Sequence, residues 1–545
     1  MVSRRGRINP LVLVLLVGVV AAGLLILLLP GGRRGGQSGG RGADGQPLVM
    51  LVAAGLRTPV EEILERYREE YGVQVDAQYG GSNMLLNQLK VNKFEQPDLY
   101  LAADAFYIDQ AVEAGLAKEV LPLAVQAPVV VFRKDRDPQA KDWETLLRDP
   151  LRWSISDPEQ AAIGRAVQGL LSDIPGGLDG ADEKMTLWDR LADQATRLGV
   201  FKPTVNEVAN DVKIGAVDLG IVWSSTVASP EYRDELVGIP LDELTETAAA
   251  PPLAEQVTVA VLSTSTRPTE ALRLARFIAA RDRGLETFAK FGMTPVEGDI
   301  WAENPEITFF CGAVNRRAIE PVIDAFQQRE GVVVNTIFDG CGILTSRMGT
   351  IEAQNPLLGF PDVYMACDRY YLDNVRDWFQ EDVDVSQTEI VLVVPKGSDR
   401  VKRLEDLLVP GVRVSIGEPN QCTIGALTRR LLQQADLYDG LKEKQGQPGE
   451  VVVEKSSSAL IVPDVVTGHV DVAIAYRNDV MTHQDKVDVI AIDSPLTRAI
   501  QPLSIGKNSG HKQLIRRLYR YVERAEENFE TVGFDFLLSD PAAKF

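Results

Sequence analysis

Two stretches of the chain read as one unit written twice, and this duplication limits the possible folds more than any other feature. Residues 51–83, LVAAGLRTPVEEILERYREEYGVQVDAQYGGSN, align without a gap with residues 310–342, FCGAVNRRAIEPVIDAFQQREGVVVNTIFDGCG, at an offset of 259. Further on, PDLYLAAD (97–104) matches PDVYMACD (361–368), and WSISDPEQAAIG (153–164) matches VSIGEPNQCTIG (414–425). Finally GAVDLGIVW (215–223) matches GHVDVAIAY (468–476). The order is the same in both halves and the offset drifts only by loop-sized amounts. A chain of 545 residues is too long for one core. The reading is therefore two related modules, 48–300 and 301–545.

Within the first copy, short apolar strands alternate with amphipathic helices. Residues 48–53, 73–78 and 99–102 read as strands. Thr58-Pro59-Val60-Glu61 predicts a helix start, with Thr58 as the cap, Pro59 at the first helical position and Glu61 completing a capping box. Ile63, Leu64, Tyr67 and Tyr71 carry the helical period. Such alternation implies an α/β architecture of parallel sheets wrapped by helices, each module having room for two lobes and a cleft.

In sheets of this kind ligands bind beyond the carboxyl ends of the strands, where helices begin. Gly55, Leu56 and Arg57 follow the first strand, Ser82 and Asn83 the second. Residues 157–164 precede a helix in the other lobe, and Trp223 ends a buried strand there. Small residues let backbone N–H groups approach a ligand, and several helix N-termini aimed at one point favour negative charge.

The net charge of −20 makes nucleic acid an unexpected partner. It also means that any anion site must rest on local amide donors. The three histidines, His469, His483 and His511, lack metal-ligand spacing. No G-x-S-x-G, Walker A or H-E-x-x-H motif occurs. Asp104 and Asp368, acidic residues at strand ends, read as helix N-caps. No enzyme is expected.

Residues 11–29 form a nearly unbroken apolar run, enough to span a bilayer core as a helix. Arginines precede it at 4, 5 and 7 and follow it at 33, 34 and 41, and no small-residue cleavage site or lipidation cysteine comes after it. The expectation is an uncleaved signal anchor (1–30), single-pass in the inner membrane, and a Gly-rich tether (31–47), with a cleaved signal peptide as the alternative. Either places the bulk of the chain in the periplasm.

Both halves resemble the molybdate-binding component of ABC importers, within the type II periplasmic binding-protein (Venus-flytrap) fold. The resemblance covers nearly all of 48–300 and 306–540. It is carried by AAGL-x(4)-EEI, YGGSN-x(3)-NQL, PDLYLAAD, SDPE-x(4)-G, DLGIVW and F-x(2)-FGM (288–293). It implies an extracytoplasmic protein that captures a small oxyanion between two lobes and presents it to an ABC permease and ATPase, with no cofactor required. In that family two serines, backbone N–H groups near the D-P-E turn and a nearby helix start, and a tyrosine hydroxyl hold the oxyanion. Carried onto the first copy these positions are Gly55, Ser82, Ile163, Val205 and Trp223, so one hydroxyl of three remains. Arg57 would add positive charge beside the pocket. In the second copy they are Val314, Cys341, Ile424, Ser458 and Tyr476. Arg316 and Arg317 open the first helix there and Arg477 follows the tyrosine. A cleft with arginines suits a carboxylate or a larger oxyanion.

All four cysteines lie in the second copy, Cys311, Cys341, Cys367 and Cys422, at the positions of Val52, Ser82, Ala103 and Ala161. Each ends or follows a predicted strand, near the cleft mouth. Three readings stand. The first is disulfides, with Cys311–Cys341 the natural pair because their strands should be neighbours. The second is thiolate binding of a soft metal such as copper(I) or zinc. The third is buried free thiols. These cysteines also support a second function class, a membrane-anchored sensor or a soft-metal or redox module.

Overall fold

A computed structural model describes residues 46–91, 96–136, 142–147, 150–176, 185–244, 254–354 and 359–538. The expected anchor and all but the last two residues of the tether lie outside the described residues. Among those described, no helix is long and apolar enough to cross a membrane.

The strands of the first module are β1 (Leu48–Ala53), β2 (Val75–Gly80), β3 (Leu99–Ala102), β4 (Ala117–Gln126), β5 (Pro128–Arg133), β6 (Trp153–Ser156), β7 (Val200–Lys202), β8 (Leu219–Trp223), β9 (Leu236–Pro240), β10 (Glu255–Leu262) and β11 (Thr294–Pro295). They form two sheets, ordered β11-β4-β10-β3-β1-β2 and β7-β6-β8-β5-β9, one per lobe. β1 lies parallel between β2 and β3, with Leu48 opposite Val75 and Met50 opposite Leu99. Met50, Leu51 and Val52 are fully buried, as expected of a central parallel strand covered on both faces. The chain enters the second lobe between β4 and β5 and returns at β10, which runs antiparallel to β3 and β4.

Two local expectations need correction. The second strand begins at Val75 rather than at residue 73. Thr58 does not cap the first helix. A 3-10 turn, Ala54–Leu56, runs straight into the helix Arg57–Tyr71, leaving Thr58 inside the first turn. Pro59 is tolerated there because the first N–H groups of a helix have no intrahelical partner.

The second module contains β12 (Glu306–Gly312), β13 (Val333–Asp339), β14 (Val363–Met365), β15 (Phe379–Pro395), β16 (Val414–Gly417), β17 (Val452–Lys455), β18 (Val472–Tyr476), β19 (Val487–Ala491), β20 (Arg498–Gly506) and β21 (Asp535–Phe536). Its two lobes share β15, which pairs with β20 along its first part and with β18 and β19 along its last. In the first module the counterpart is interrupted at Ala127, between β4 and β5. Pro128 faces Trp223 there as Ile390 faces Tyr476. The pairing with this second-lobe strand continues past the interruption, the Ser224 N–H donating to the Ala127 carbonyl at 2.8 Å.

Each module has its own apolar core. Between modules, the helix Pro268–Ile278 lies against the helix Arg316–Glu330. Glu330 is wholly buried, and its carboxylate accepts from Arg276 (3.1 Å) and Arg517 (2.6 and 3.1 Å). Arg329 donates to both oxygens of Glu119 at 2.8 and 2.9 Å. Asp299 accepts from the N–H groups of Gln513 and Leu514, at the start of the helix Lys512–Glu523.

Candidate functional site

In the first module, turns from both lobes close around one small cavity, enclosing about 260 Å³ with its open mouth included. Gly55, Gly81 and Ser82 come from the first lobe, and Ile163, Val205 and Trp223 from the second. None of the lining residues carries a charge. The helices Ser82–Lys90, Ala162–Ser172 and Val205–Lys213 all begin at its wall, which brings first-turn N–H groups without an intrahelical partner to the cavity. The positive ends of these helix dipoles favour an anion.

Ser82 is buried, and its Oγ accepts from the Ala103 N–H at 3.3 Å while Tyr100 donates to its carbonyl at 2.7 Å. The hydroxyl proton of Ser82 is thereby left to donate to a ligand. A Cβ on Gly55 would lie 2.8 Å from Val205 Cγ1 and 3.4 Å from Trp223 Cδ1. Gly55 and the bulky Val205 and Trp223 are thus matched, the indole and the valine taking the space of a side chain at 55. A Cβ on Gly81 would meet the Gln160 carbonyl at 2.4 Å, so the two lobes touch at this turn.

Three expected contacts lie elsewhere. Leu56 is buried in the core and does not line the cavity. Arg57 is 55% exposed, pairs with Glu61 at 3.3 Å and stacks over Tyr79, so its charge is satisfied outside the cavity. Asn83 reaches across the cleft to donate to the Glu159 carbonyl and clasps the lobes. Asn206 makes a second clasp, to the Ala54 carbonyl at 3.0 Å.

A third clasp was not legible as such. Arg165, in the second lobe, pairs with Asp104 and with Glu255 (3.4 Å) of the first, and lies over the Phe106 ring. Burial and the neighbouring Asp104 carboxylate push the Glu255 carboxyl up to about 7, against the pull of Arg165. Asp104 and Asp368 accept from the N–H groups of Phe106 and Tyr370, as expected of N-caps. A one-letter sequence identifies the caps by their spacing, but the cross-lobe partner of Asp104 is 61 residues away.

In the second module Val314, Cys341, Ile424, Ser458 and Tyr476 are all buried. The Tyr476 hydroxyl and Asn315 Oδ1 are buried without a hydrogen-bond partner. Two of the three arginines expected at this cleft pair on the surface instead. Arg316 pairs with Glu320 at 3.1 Å and Arg477 with Glu389 at 2.7 Å, both on the surface, because each has a carboxylate within easier reach than the cleft.

Of the three readings of the cysteines, the structure matches the third, and the pairing expected under the first is not the one in contact. All four are buried and free. Among the described residues no group of three or more His, Cys, Asp or Glu is arranged to hold a metal ion. The contact is between Cys341 and Cys367, whose sulfurs lie 3.0 Å apart, not between Cys341 and Cys311. Cys311 lies within β12, and its thiol donates to the Gly312 carbonyl. Cys422, in the other lobe, donates to the Lys455 carbonyl at 3.3 Å.

The family described as bacterial extracellular solute-binding protein matches this sequence twice, over residues 48–294 and 307–535. A protein of Haemophilus influenzae named as a binding protein is 26% identical over 250 residues, covering 46% of this chain and 91% of its own length. The molybdate-binding protein of Escherichia coli is 25% identical over 252 residues, covering 44% of this chain and 92% of its own. Among solved structures, the periplasmic molybdate-binding protein of Azotobacter vinelandii is 16% identical, covering 45% of this chain and 98% of its own, with a TM-score of 0.36. The Haemophilus influenzae and Escherichia coli proteins therefore each correspond in length to one module.

Proposed function

The chain belongs to the bacterial extracellular solute-binding proteins, with the family unit present twice, and we propose that its first module binds a small oxyanion of the molybdate or tungstate type in the interlobe cavity. The observation that carries this reading is an uncharged pocket ringed by helix N-termini from both lobes, with the Ser82 hydroxyl as an added donor. Such a pocket favours an anion through amide dipoles alone, despite the acidic surface around it. The replacement of two family hydroxyls by Gly55 and Trp223 leaves fewer side-chain donors and suits a compact ligand. The bound protein would present the anion to an ABC permease and ATPase. The apolar run at 11–29 would hold the modules at the periplasmic face of the inner membrane, close to that permease.

The test is thermal unfolding of the full chain with molybdate, tungstate, sulfate or phosphate. A ligand at a hundred times its dissociation constant stabilises by about 2.7 kcal/mol, enough to raise the midpoint by several degrees. A rise with at least one oxyanion and none with sodium chloride is expected. Equal midpoints throughout the series would remove the reading.

A further inference from the structure

We propose that Cys341 and Cys367 are a redox-active pair that closes to a disulfide within the cleft of the second module. The two residues follow β13 and β14, which do not pair with each other but flank β12 on either side. Their sulfurs can meet because of what lies between them. A Cβ on Gly312, the last residue of β12, would sit 2.2 Å from Cys367 Sγ and 2.8 Å from Cys341 Sγ. The absent side chain is the space in which the thiols come together. In the first module Ala53 occupies that position, with Ser82 and Ala103 in place of the cysteines. All three substitutions needed to form the pair therefore occur together in the second copy.

The surroundings make the two sulfurs unequal. Burial pushes the Cys341 thiol up, but its contacts with Cys367 and Thr423 and the Cys367 N–H, 3.1 Å away, more than offset this and hold it below the ordinary thiol value. Cys367 is pushed well up by its hydrogen bond to Cys341 and by burial. The Cys367 N–H is directed at Cys341 Sγ, which favours negative charge there, so Cys341 is the sulfur placed to attack and Cys367 the one placed to resolve. Cys311 and Cys422 each donate to a backbone carbonyl instead and are pushed up by burial.

The oxidant is a disulfide, small or protein-borne, as found outside the cytoplasm where proteins of this family act. The Cys341 thiolate attacks one sulfur of it and expels the other as a thiolate. Cys367 then loses its proton and attacks Cys341 Sγ, breaking the mixed disulfide and releasing the second thiol. Two protein thiols are oxidised, one external disulfide is reduced to two thiols, and the protons from the pair end on the products. Cys341 lies where the lobes meet, since Gly340 and Gly342 on either side of it abut the carbonyls of Gln421 and Asn420. The exchange therefore requires the lobes to part there, and the bridge formed changes the position that Ser82 occupies in the first module.

The full chain, first reduced, is incubated with oxidised glutathione, quenched in acid, unfolded and titrated for thiols. Free thiols should fall from four to two, and peptide mapping should join Cys341 to Cys367, with dithiothreitol restoring all four. Cys341→Ser, which reproduces the Ser82 arrangement, should keep its three thiols free of any internal bridge. The Cys311→Ser/Cys422→Ser variant should lose both of those remaining. Four thiols persisting, a lasting glutathione adduct without a bridge, or a bridge involving Cys311 or Cys422 would each overturn the proposal. The count does not depend on any anion being bound, so it stands apart from the oxyanion reading.

Discussion

Gly55 shows how one missing side chain shapes the first cleft. Restoring a serine there returns a family hydroxyl but places its Cβ 2.8 Å from Val205 Cγ1. Gly55→Ser should lower the unfolding midpoint, by overpacking of about 1–3 kcal/mol, and Gly55→Ser/Val205→Ala should recover most of it; calorimetry of both variants checks the pair. Glu255 gives a second prediction. Its carboxyl, pushed up to about 7, stays protonated in the folded chain where the unfolded chain has already ionised. The folded state then binds the extra proton, so this group's contribution to stability falls as pH rises from the ordinary carboxylate range through about 7. Glu255→Gln should flatten that part of the stability profile measured by denaturant titration. An unchanged slope would mean that Glu255 is not the titrating group.

Helix starts are the elements on which the site rests. The helix Val205–Lys213 begins at the cavity wall, with Thr204 extended at its N-cap (φ −138°, ψ 151°). Proline is favoured at the first helical position and tolerates an extended residue before it. Val205→Pro should therefore preserve the helix while deleting one N–H donor. The expected result is retained circular dichroism with about tenfold weaker oxyanion binding, since a hydrogen bond to a charged group contributes roughly 1.5 kcal/mol or more. Much at this scale was legible in the sequence. The strands Leu48–Ala53 and Leu99–Ala102 matched their apolar runs, and Asp104 and Asp368 were readable as caps. The first helix start differs from its capping pattern because a 3-10 turn feeds the helix directly, which local residue spacing does not encode. The Cys311–Cys341 pairing failed for a related reason. The strands carrying Cys311 and leading to Cys341 are neighbours, but which sulfurs meet depends on the turns above the sheet.

At the scale of the whole molecule, the two modules are joined by buried charge. Glu330 is wholly desolvated between Arg276 and Arg517. Burial pushes its carboxyl up, but the two guanidiniums outweigh this and hold it below the usual range. Its stabilising contribution is then fully present above the unfolded carboxylate range and is lost as pH falls through the depressed folded value. Glu330→Gln leaves two buried cations without their anion and should cost about 3–5 kcal/mol. In scanning calorimetry we expect the variant to unfold at lower temperature; an unchanged midpoint would show that the triad contributes nothing net. The duplication itself was fully legible, whereas this junction was not, because its partners are separated by 54 and 187 residues. The account as a whole turns on the amide-lined cavity of the first module. Isothermal titration of molybdate or tungstate into the full chain, beside Val205→Pro, tests it most directly. Saturable binding that weakens about tenfold in the variant is predicted; no binding heat with either anion, or identical affinity in the two proteins, would contradict it.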